Sequence, residues 1–142
     1  MPGRTVMLRS VLAFTVVAVL SAARPLDSGP TIRLEDLSQH PSVRPSTFQV
    51  TYHVALTGLR WSGWGAPVAV STGTLDINTC QPTCAEGRHR LLRHAELQVR
   101  GVRIDQGRRF YRQYRVTGPA LTAADRLAYA HWTNAYVPSD FR

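Results

Sequence analysis

Arginine and aromatic residues interleave near the end of the chain in a pattern that suits anion binding. The segment of residues 108–115 contains three aromatic residues and four arginines. If this stretch is a strand, Arg109, Tyr111 and Arg115 lie on one exposed face, because alternate residues of a strand share a face. Guanidinium groups bind phosphate and carboxylate through paired hydrogen bonds. The pattern therefore predicts an anion-binding face made of these three residues.

The charge of the whole chain agrees with an anionic partner. The formal net charge is +8, every basic residue is arginine, and residues 88–115 hold nine arginines against two acids. Such a surface favours anionic polymers or anionic lipid surfaces as partners and gives no reason to expect sequence-specific binding of nucleic acid. A GC-rich genome that prefers arginine codons would produce the same composition without a binding site, and this interpretation stays open.

Two cysteines form the segment C-Q-P-T-C. Cys80 and Cys84 are separated by three residues across a proline turn, which favours a disulfide in an exported chain. His89 and His94 follow and give the spacing C-x3-C-x4-H-x4-H, but zinc motifs usually have a longer gap between the two pairs. A redox-active pair normally has the spacing C-x-x-C. We therefore expect a disulfide and no metal site.

Two tryptophans lie among glycines in the segment L-R-W-S-G-W-G. Trp61 and Trp64 would form an aromatic binding loop if they were exposed, because flat indole faces stack on sugars and bases. The alternative is that both rings close the core of a small domain beneath a turn. Buried aromatic side chains are the commoner use, so the core position is favoured.

These motifs together resemble a group of small secreted actinobacterial proteins of unknown function. The shared features are a W-x-x-W-G segment, a G-T stretch at Gly73, a C-x-P-x-C-A-x-G loop and a closing aromatic strand, and they span residues 55–118. The chain departs from that pattern at Arg93, His94 and Arg112 and beyond Gly118. The resemblance implies export and a disulfide, and it implies no activity.

Motifs of the common enzyme classes are missing from the sequence. It contains no G-x-S-x-G, H-E-x-x-H, P-loop or dinucleotide-binding motif. We therefore expect no catalytic residues and no cofactor, and interpret the protein as a secreted, non-enzymatic β-domain that associates with anionic cell-envelope or extracellular polymers. Two alternatives remain: a small exported enzyme whose site is assembled from distant loops, and a secreted protein-binding or inhibitor module.

The elements that would position these residues fall into three segments. Residues 1–23 combine two arginines, an apolar run and a small-residue end, which predicts a secretory signal peptide cleaved after Ala23. Residues 24–46 contain four prolines and predict a flexible leader, although Ile32–Leu37 could dock on the domain. Residues 47–142 predict a single β-rich domain.

Alternating apolar and polar residues set the fold class of that domain. The alternation is clear over residues 47–56, 95–100 and 110–117, and a change of parity next to Gly73 predicts a β-bulge. Short strands separated by turns indicate a small antiparallel sandwich or barrel. Residues 122–133 fit either a short C-terminal helix capped by Thr122 or an edge strand, with the helix slightly favoured.

Overall fold

The computed structural model of the protein describes residues 31–142. The predicted signal peptide and the first part of the predicted leader lie outside the described residues. The elements in chain order are β1 (Ile32–Arg33), β2 (Phe48–Thr51), β3 (Val54–Ser62), β4 (Val68–Asn78), β5 (His89–Asp105), β6 (Arg108–Thr117), α1 (Ala123–Tyr129), β7 (Thr133–Asn134) and a 3-10 helix (Pro138–Phe141). The predicted mainly β class and the short C-terminal helix are confirmed.

The strands form one curled, open sheet. Its order is β1-β6-β5-β4-β3-β2, and β7 also pairs with β6. All neighbours are antiparallel except β1 and β6, which run parallel. One face of the central strands carries the core, whose fully buried members include Leu56, Leu75, Leu97, Val99 and Val116.

A bulge near Gly73 lets the long strand β5 keep its apolar residues in the core. The pairing of β4 with β5 shifts by one residue between Gly73 and Thr74, and His94 is the extra residue on β5. Leu92 before the bulge and Ala95 after it therefore both pack in the core. Gly73 has no room for a side chain, because an added Cβ would lie 2.5 Å from the carbonyl oxygen of Thr57.

Residues 31–46, which the sequence assigns to a flexible leader, contribute to the fold. Ile32 and Leu34 are buried, β1 pairs with β6, and Leu34 pairs with Ser42 in an isolated bridge. Docking of this segment, the alternative raised by residues 32–37, is what the structure shows. The physical reason is a short period-2 pattern that places two apolar side chains on one face. The domain therefore includes these residues as well as residues 47–142.

The C-terminal helix has a complete capping box. The hydroxyl of Thr122 accepts a hydrogen bond from the backbone N–H of Asp125, and the Asp125 carboxylate accepts one from the backbone N–H of Thr122. This reciprocal cap explains why residues 123–129 form a helix and not an edge strand. In the described part of the chain, no helix combines the length and the apolar character that crossing a bilayer requires.

Candidate functional site

The outer face of the β5–β6 hairpin carries a ladder of arginine and glutamine. Gln98 pairs with Arg115, and Arg100 pairs with Gln113 in the next rung. These four residues alternate with Val99 and Tyr114 on the core side, so their side chains project away from the core. In each rung the arginine Nε donates a hydrogen bond to the glutamine Oε1 at 2.9 Å. The two guanidinium groups are therefore held in place by their partners across the strand pair.

Trp132 brings the two guanidinium groups together. The Cζ atoms of Arg100 and Arg115 lie 4.0 and 4.6 Å from the centre of its ring. Trp132 reaches this position because Thr133 in β7 pairs with Tyr114 in β6, which places the preceding residue beside Arg115. An indole face attracts guanidinium groups through its quadrupole. We call Arg100, Arg115 and Trp132, together with Gln98 and Gln113, the arginine–tryptophan cluster.

Neither guanidinium group of the cluster has a carboxylate partner among residues 31–142. The arginine–carboxylate ion pairs in this part of the chain join Arg90 with Asp125 and Arg112 with Asp140. Glu96 lies on the neighbouring rung, where it accepts hydrogen bonds from Gln98 and Thr117. The terminal nitrogens of Arg100 and Arg115 make no hydrogen bond within residues 31–142, so both can donate to an anion.

The structure separates the three residues predicted to form the anion-binding face. Arg115 belongs to the arginine–tryptophan cluster, and Arg109 is exposed near the tip of the same hairpin. Tyr111 is fully buried: its hydroxyl donates to the carbonyl of Ala66 and accepts from the N–H of Gly65, each at 2.8 Å. The expectation of an exposed Tyr111 is therefore wrong. Its face of β6 is covered at this position by the segment joining β3 and β4, which strand parity does not reveal.

The tryptophans of the predicted binding loop are structural. The Nε1–H of Trp61 donates to the carbonyl of Pro45 at 2.7 Å, and that of Trp64 donates to the carbonyl of Ile32 at 3.2 Å. The two rings pack edge to face with centroids 4.7 Å apart, and both lie against the core. They attach residues 31–46 to the sheet, which agrees with the core position favoured from the sequence and not with an exposed loop.

Sequence reasoning missed Arg100 and Trp132. In the sequence Arg100 is one of nine arginines in residues 88–115, and Trp132 lies 32 positions further along the chain. They meet because β7 returns to the edge of β6 after the helix. One feature of the sequence could have indicated the cluster. Each of the two strands carries a glutamine and an arginine two positions apart, and aligning β5 with β6 places each arginine opposite a glutamine.

The loop between β4 and β5 contains the predicted disulfide. Cys80 and Cys84 are bonded, and the described residues contain no free cysteine. Asn78 holds the loop through two hydrogen bonds: its Oδ1 accepts from the N–H of Cys80 at 2.9 Å, and its Nδ2 donates to the carbonyl of Cys84 at 2.8 Å. The C-x3-C spacing thus closes the turn between two long strands.

A small cavity lies beside this loop. Its volume is about 160 Å³, and the titratable side chains at its wall are those of Tyr52, His53, Asp76 and His89. The Nδ1 of His89 lies 2.6 Å from the Oδ1 of Asp76. His94, the second histidine of the sequence-based zinc alternative, is the exposed bulge residue of β5. The structure thus brings His53, which is distant from both cysteines in the sequence, to the loop.

Glu35 is an unusual carboxyl group at the junction between the N-terminal segment and the C-terminal tail. It is buried, it forms a bridge with Tyr136, and its Oε2 has no hydrogen-bond partner among residues 31–142. Burial raises the pKa of Glu35, and the nearby carboxylates of Asp105, Asp140 and Asp36 raise it further. This group is therefore sensitive to pH.

Two other carboxyl groups have lowered pKa values because they are well bonded. Burial opposes the ionisation of Asp125, but hydrogen bonds from Thr122 and Arg90 outweigh it and lower the pKa. The hydrogen bond from Arg112 lowers the pKa of Asp140. Both groups are partners of arginines that lie outside the arginine–tryptophan cluster.

Comparison of the chain with protein-family models, with curated proteins and with solved structures gives no match.

Proposed function

We propose that the protein is a secreted, non-enzymatic β-domain that binds anionic cell-envelope or extracellular polymers through the arginine–tryptophan cluster. The observation that carries the proposal is the pair of guanidinium groups of Arg100 and Arg115 on one indole, with no carboxylate partner in the described part of the chain. Because glutamines already hold each Nε, little side-chain entropy is lost when the terminal nitrogens bind an anion. Planar guanidinium groups suit phosphate, carboxylate and sulfate oxygens alike.

Neighbouring charges support a polymer and not a small anion. Arg103, Arg108 and Arg109 are exposed at the tip of the same hairpin. Of these, Arg109 has the strand parity of Arg115, so a chain of repeated anionic groups could contact the cluster and Arg109 together, and electrostatic attraction would speed its approach. Tyr111 has no part in this surface, so Trp132 is its aromatic component.

Secretion is part of the proposal. The disulfide between Cys80 and Cys84 is typical of oxidising compartments, and residues 1–23 have the composition of a signal peptide. The resemblance to small secreted actinobacterial proteins points in the same direction and stays a prediction.

The test compares two double variants of equal net charge. Arg100→Gln/Arg115→Gln removes the cluster, and Arg60→Gln/Arg88→Gln removes two exposed arginines outside the hairpin. With mixed-sequence duplex DNA as a model polyphosphate, the first variant should bind more weakly, and its salt dependence should fall by about one counterion per lost contact. The second should lose only the general effect of charge. Equal losses in both variants would leave a merely basic protein and reject the proposal.

An anionic lipid surface is a second candidate, favoured by one specific observation. Val102 and Ile104 are 45% and 67% exposed at the hairpin tip, next to the arginines named above. They stand clear of the sheet because β4 pairs with β5 only as far as Arg100. Apolar side chains between arginines are typical of protein segments that insert at the interface of an anionic bilayer.

Vesicles distinguish this candidate from a polymer. If lipid is the partner, Ile104→Gln should weaken binding to vesicles that contain phosphatidylglycerol and leave DNA binding unchanged. Leu127→Gln is the matched control, because Leu127 is an exposed leucine (83%) on α1, away from the hairpin. Equal binding of both variants to the vesicles would exclude insertion of the hairpin tip.

A further inference from the structure

His53 lies against the disulfide of the β4–β5 loop. One ring nitrogen of His53 and the sulfur atoms of Cys80 and Cys84 all lie within 4.8 Å of one another. The backbone explains the approach, since the N–H of Asn78 donates to the carbonyl of His53 at 2.9 Å while the Asn78 side chain holds the cysteine loop. Asn78 thus holds together three potential metal ligands that come from two separate turns.

We propose that reduction of the Cys80–Cys84 disulfide creates a zinc site formed by His53, Cys80 and Cys84. An imidazole and two thiolates are a ligand set that Zn²⁺ takes in tetrahedral sites, with the fourth position left to water. His53 and Cys84 are exposed and Cys80 is half-buried, so the site is open to solvent on one side. The proposal does not depend on anion binding by the arginine–tryptophan cluster.

The chemistry balances in two steps. Two equivalents of an external thiol reduce the protein disulfide, which becomes two cysteine thiols while the external thiol becomes a disulfide. Zn²⁺ then displaces one proton from each thiol, so that two protons are released for each ion bound. In the oxidised protein the two sulfur atoms are bonded to each other, so neither is available as a thiolate ligand. The loop therefore responds to the thiol state of its surroundings.

The structure selects His53 over the histidines that sequence spacing suggests. The Nδ1 of His89 faces the carboxylate of Asp76, and His94 is the exposed bulge residue of β5, so neither joins the sulfur atoms in a cluster. His53 precedes Cys80 in the chain and belongs to the turn between β2 and β3. A motif in which the histidines follow the cysteines therefore does not include it.

The test uses Co²⁺ as a spectroscopic probe and Zn²⁺ as its competitor. The full secreted chain is reduced with a phosphine, desalted without oxygen and titrated with Co²⁺. We expect one equivalent to bind with thiolate-to-cobalt charge-transfer bands, Zn²⁺ to displace it, and the oxidised protein to show no such bands. His53→Ala should weaken binding by more than about tenfold, since even the loss of outer-shell partners costs about 10–100-fold.

The matched controls are His89→Ala and His94→Ala, which should bind Co²⁺ as the unchanged protein does. Cys80→Ser/Cys84→Ser should abolish the charge-transfer bands. A reduced protein that binds no Co²⁺ would overturn the proposal. An equal loss of affinity in the His53 and His89 variants, or binding that is unaffected in the His53 variant, would overturn the assignment of the third ligand.

Discussion

The guanidinium carbon of Arg100 lies 4.0 Å from the centre of the Trp132 ring, although 31 residues separate the two positions in the chain. The contact joins the middle of β5 to the segment after α1. Arg115 on β6 approaches the same ring at 4.6 Å. This grouping of two like charges around one tryptophan is the basis of the proposed anion-binding surface, because an anion would relieve their mutual repulsion.

Replacing Trp132 by Leu should weaken polyanion binding. The change removes the platform for both guanidinium groups, and each cation–π contact contributes about 0.5–1 kcal/mol at an exposed site. We expect a loss of about 2–10-fold in affinity for duplex DNA at low salt. Tyr52→Leu is the control, because Tyr52 is 80% exposed and lies in the turn before β3.

A double-mutant cycle shows whether Trp132 acts through the arginines. In the Arg100→Gln/Arg115→Gln background, Trp132→Leu should cause no further loss of affinity. A full additional loss in that background would mean that the indole contacts the polymer by itself, and the role assigned to the cluster would then be incorrect.

The sequence predicts the fold class well because side-chain alternation is a local property. The strand over residues 110–117, the bulge near Gly73 and the cap at Thr122 are all readable from a few neighbouring residues. The docking of residues 31–46 was less visible, because only Ile32 and Leu34 carry the pattern and prolines surround it. Short strands of two residues lack a periodic signal of their own.

The candidate site could be predicted only in part, because its geometry depends on long-range pairing. The alternation of side chains along β6 correctly predicts that Arg115 lies on the outer face. The same alternation also predicts an exposed Tyr111, which is buried. The segment between β3 and β4 covers Tyr111, and that contact crosses 45 residues or more. Trp132 became part of the surface only through the pairing of β7 with β6.

Tyr111→Phe should affect stability and not binding. The substitution removes the two hydrogen bonds of the Tyr111 hydroxyl, from the N–H of Gly65 and to the carbonyl of Ala66, and each such bond contributes about 0.5–1.5 kcal/mol to stability. Urea unfolding should show this loss, whereas DNA affinity should not change under folding conditions. Tyr52→Phe, at an exposed tyrosine, should stay within about 0.5 kcal/mol. Weaker DNA binding with unchanged stability would instead support the prediction from the sequence that Tyr111 belongs to an exposed binding face.

Export should remove the first 23 residues. Apolar runs of this length that end in small residues are cleaved by signal peptidases, so the protein collected from the medium of a secreting bacterial host should begin at or near Arg24. Amino-terminal sequencing and intact mass test this directly. The mass should also be two hydrogens lower than that of the reduced chain, because Cys80 and Cys84 are bonded. An intact amino terminus on membrane-associated material would contradict the prediction.

Glu35 should make the protein less stable as the pH rises above the acid range. Burial and the neighbouring carboxylates raise the pKa of Glu35 in the folded protein above its ordinary value of 4.5. The folded state therefore binds this proton more tightly than the unfolded state does. The resulting stabilisation is complete below pH 4.5 and is lost as the pH rises through the higher folded value.

Glu35→Gln should remove this loss of stability at higher pH, because the glutamine side chain stays neutral. Its amide group takes the place of the carboxylate oxygen that has no hydrogen-bond partner among residues 31–142. We expect the variant to match the natural protein near pH 4.5 and to exceed it in urea-unfolding stability at pH 7. Below pH 3.8 both proteins should lose stability, since Asp125 and Asp140 have lowered pKa values and lose their bonds on protonation. Glu86→Gln, at an exposed glutamate, should show the same pH dependence as the natural protein. A Glu35 variant less stable than the natural protein at pH 7 would show that the ionised carboxylate holds the two terminal segments together, contrary to this account.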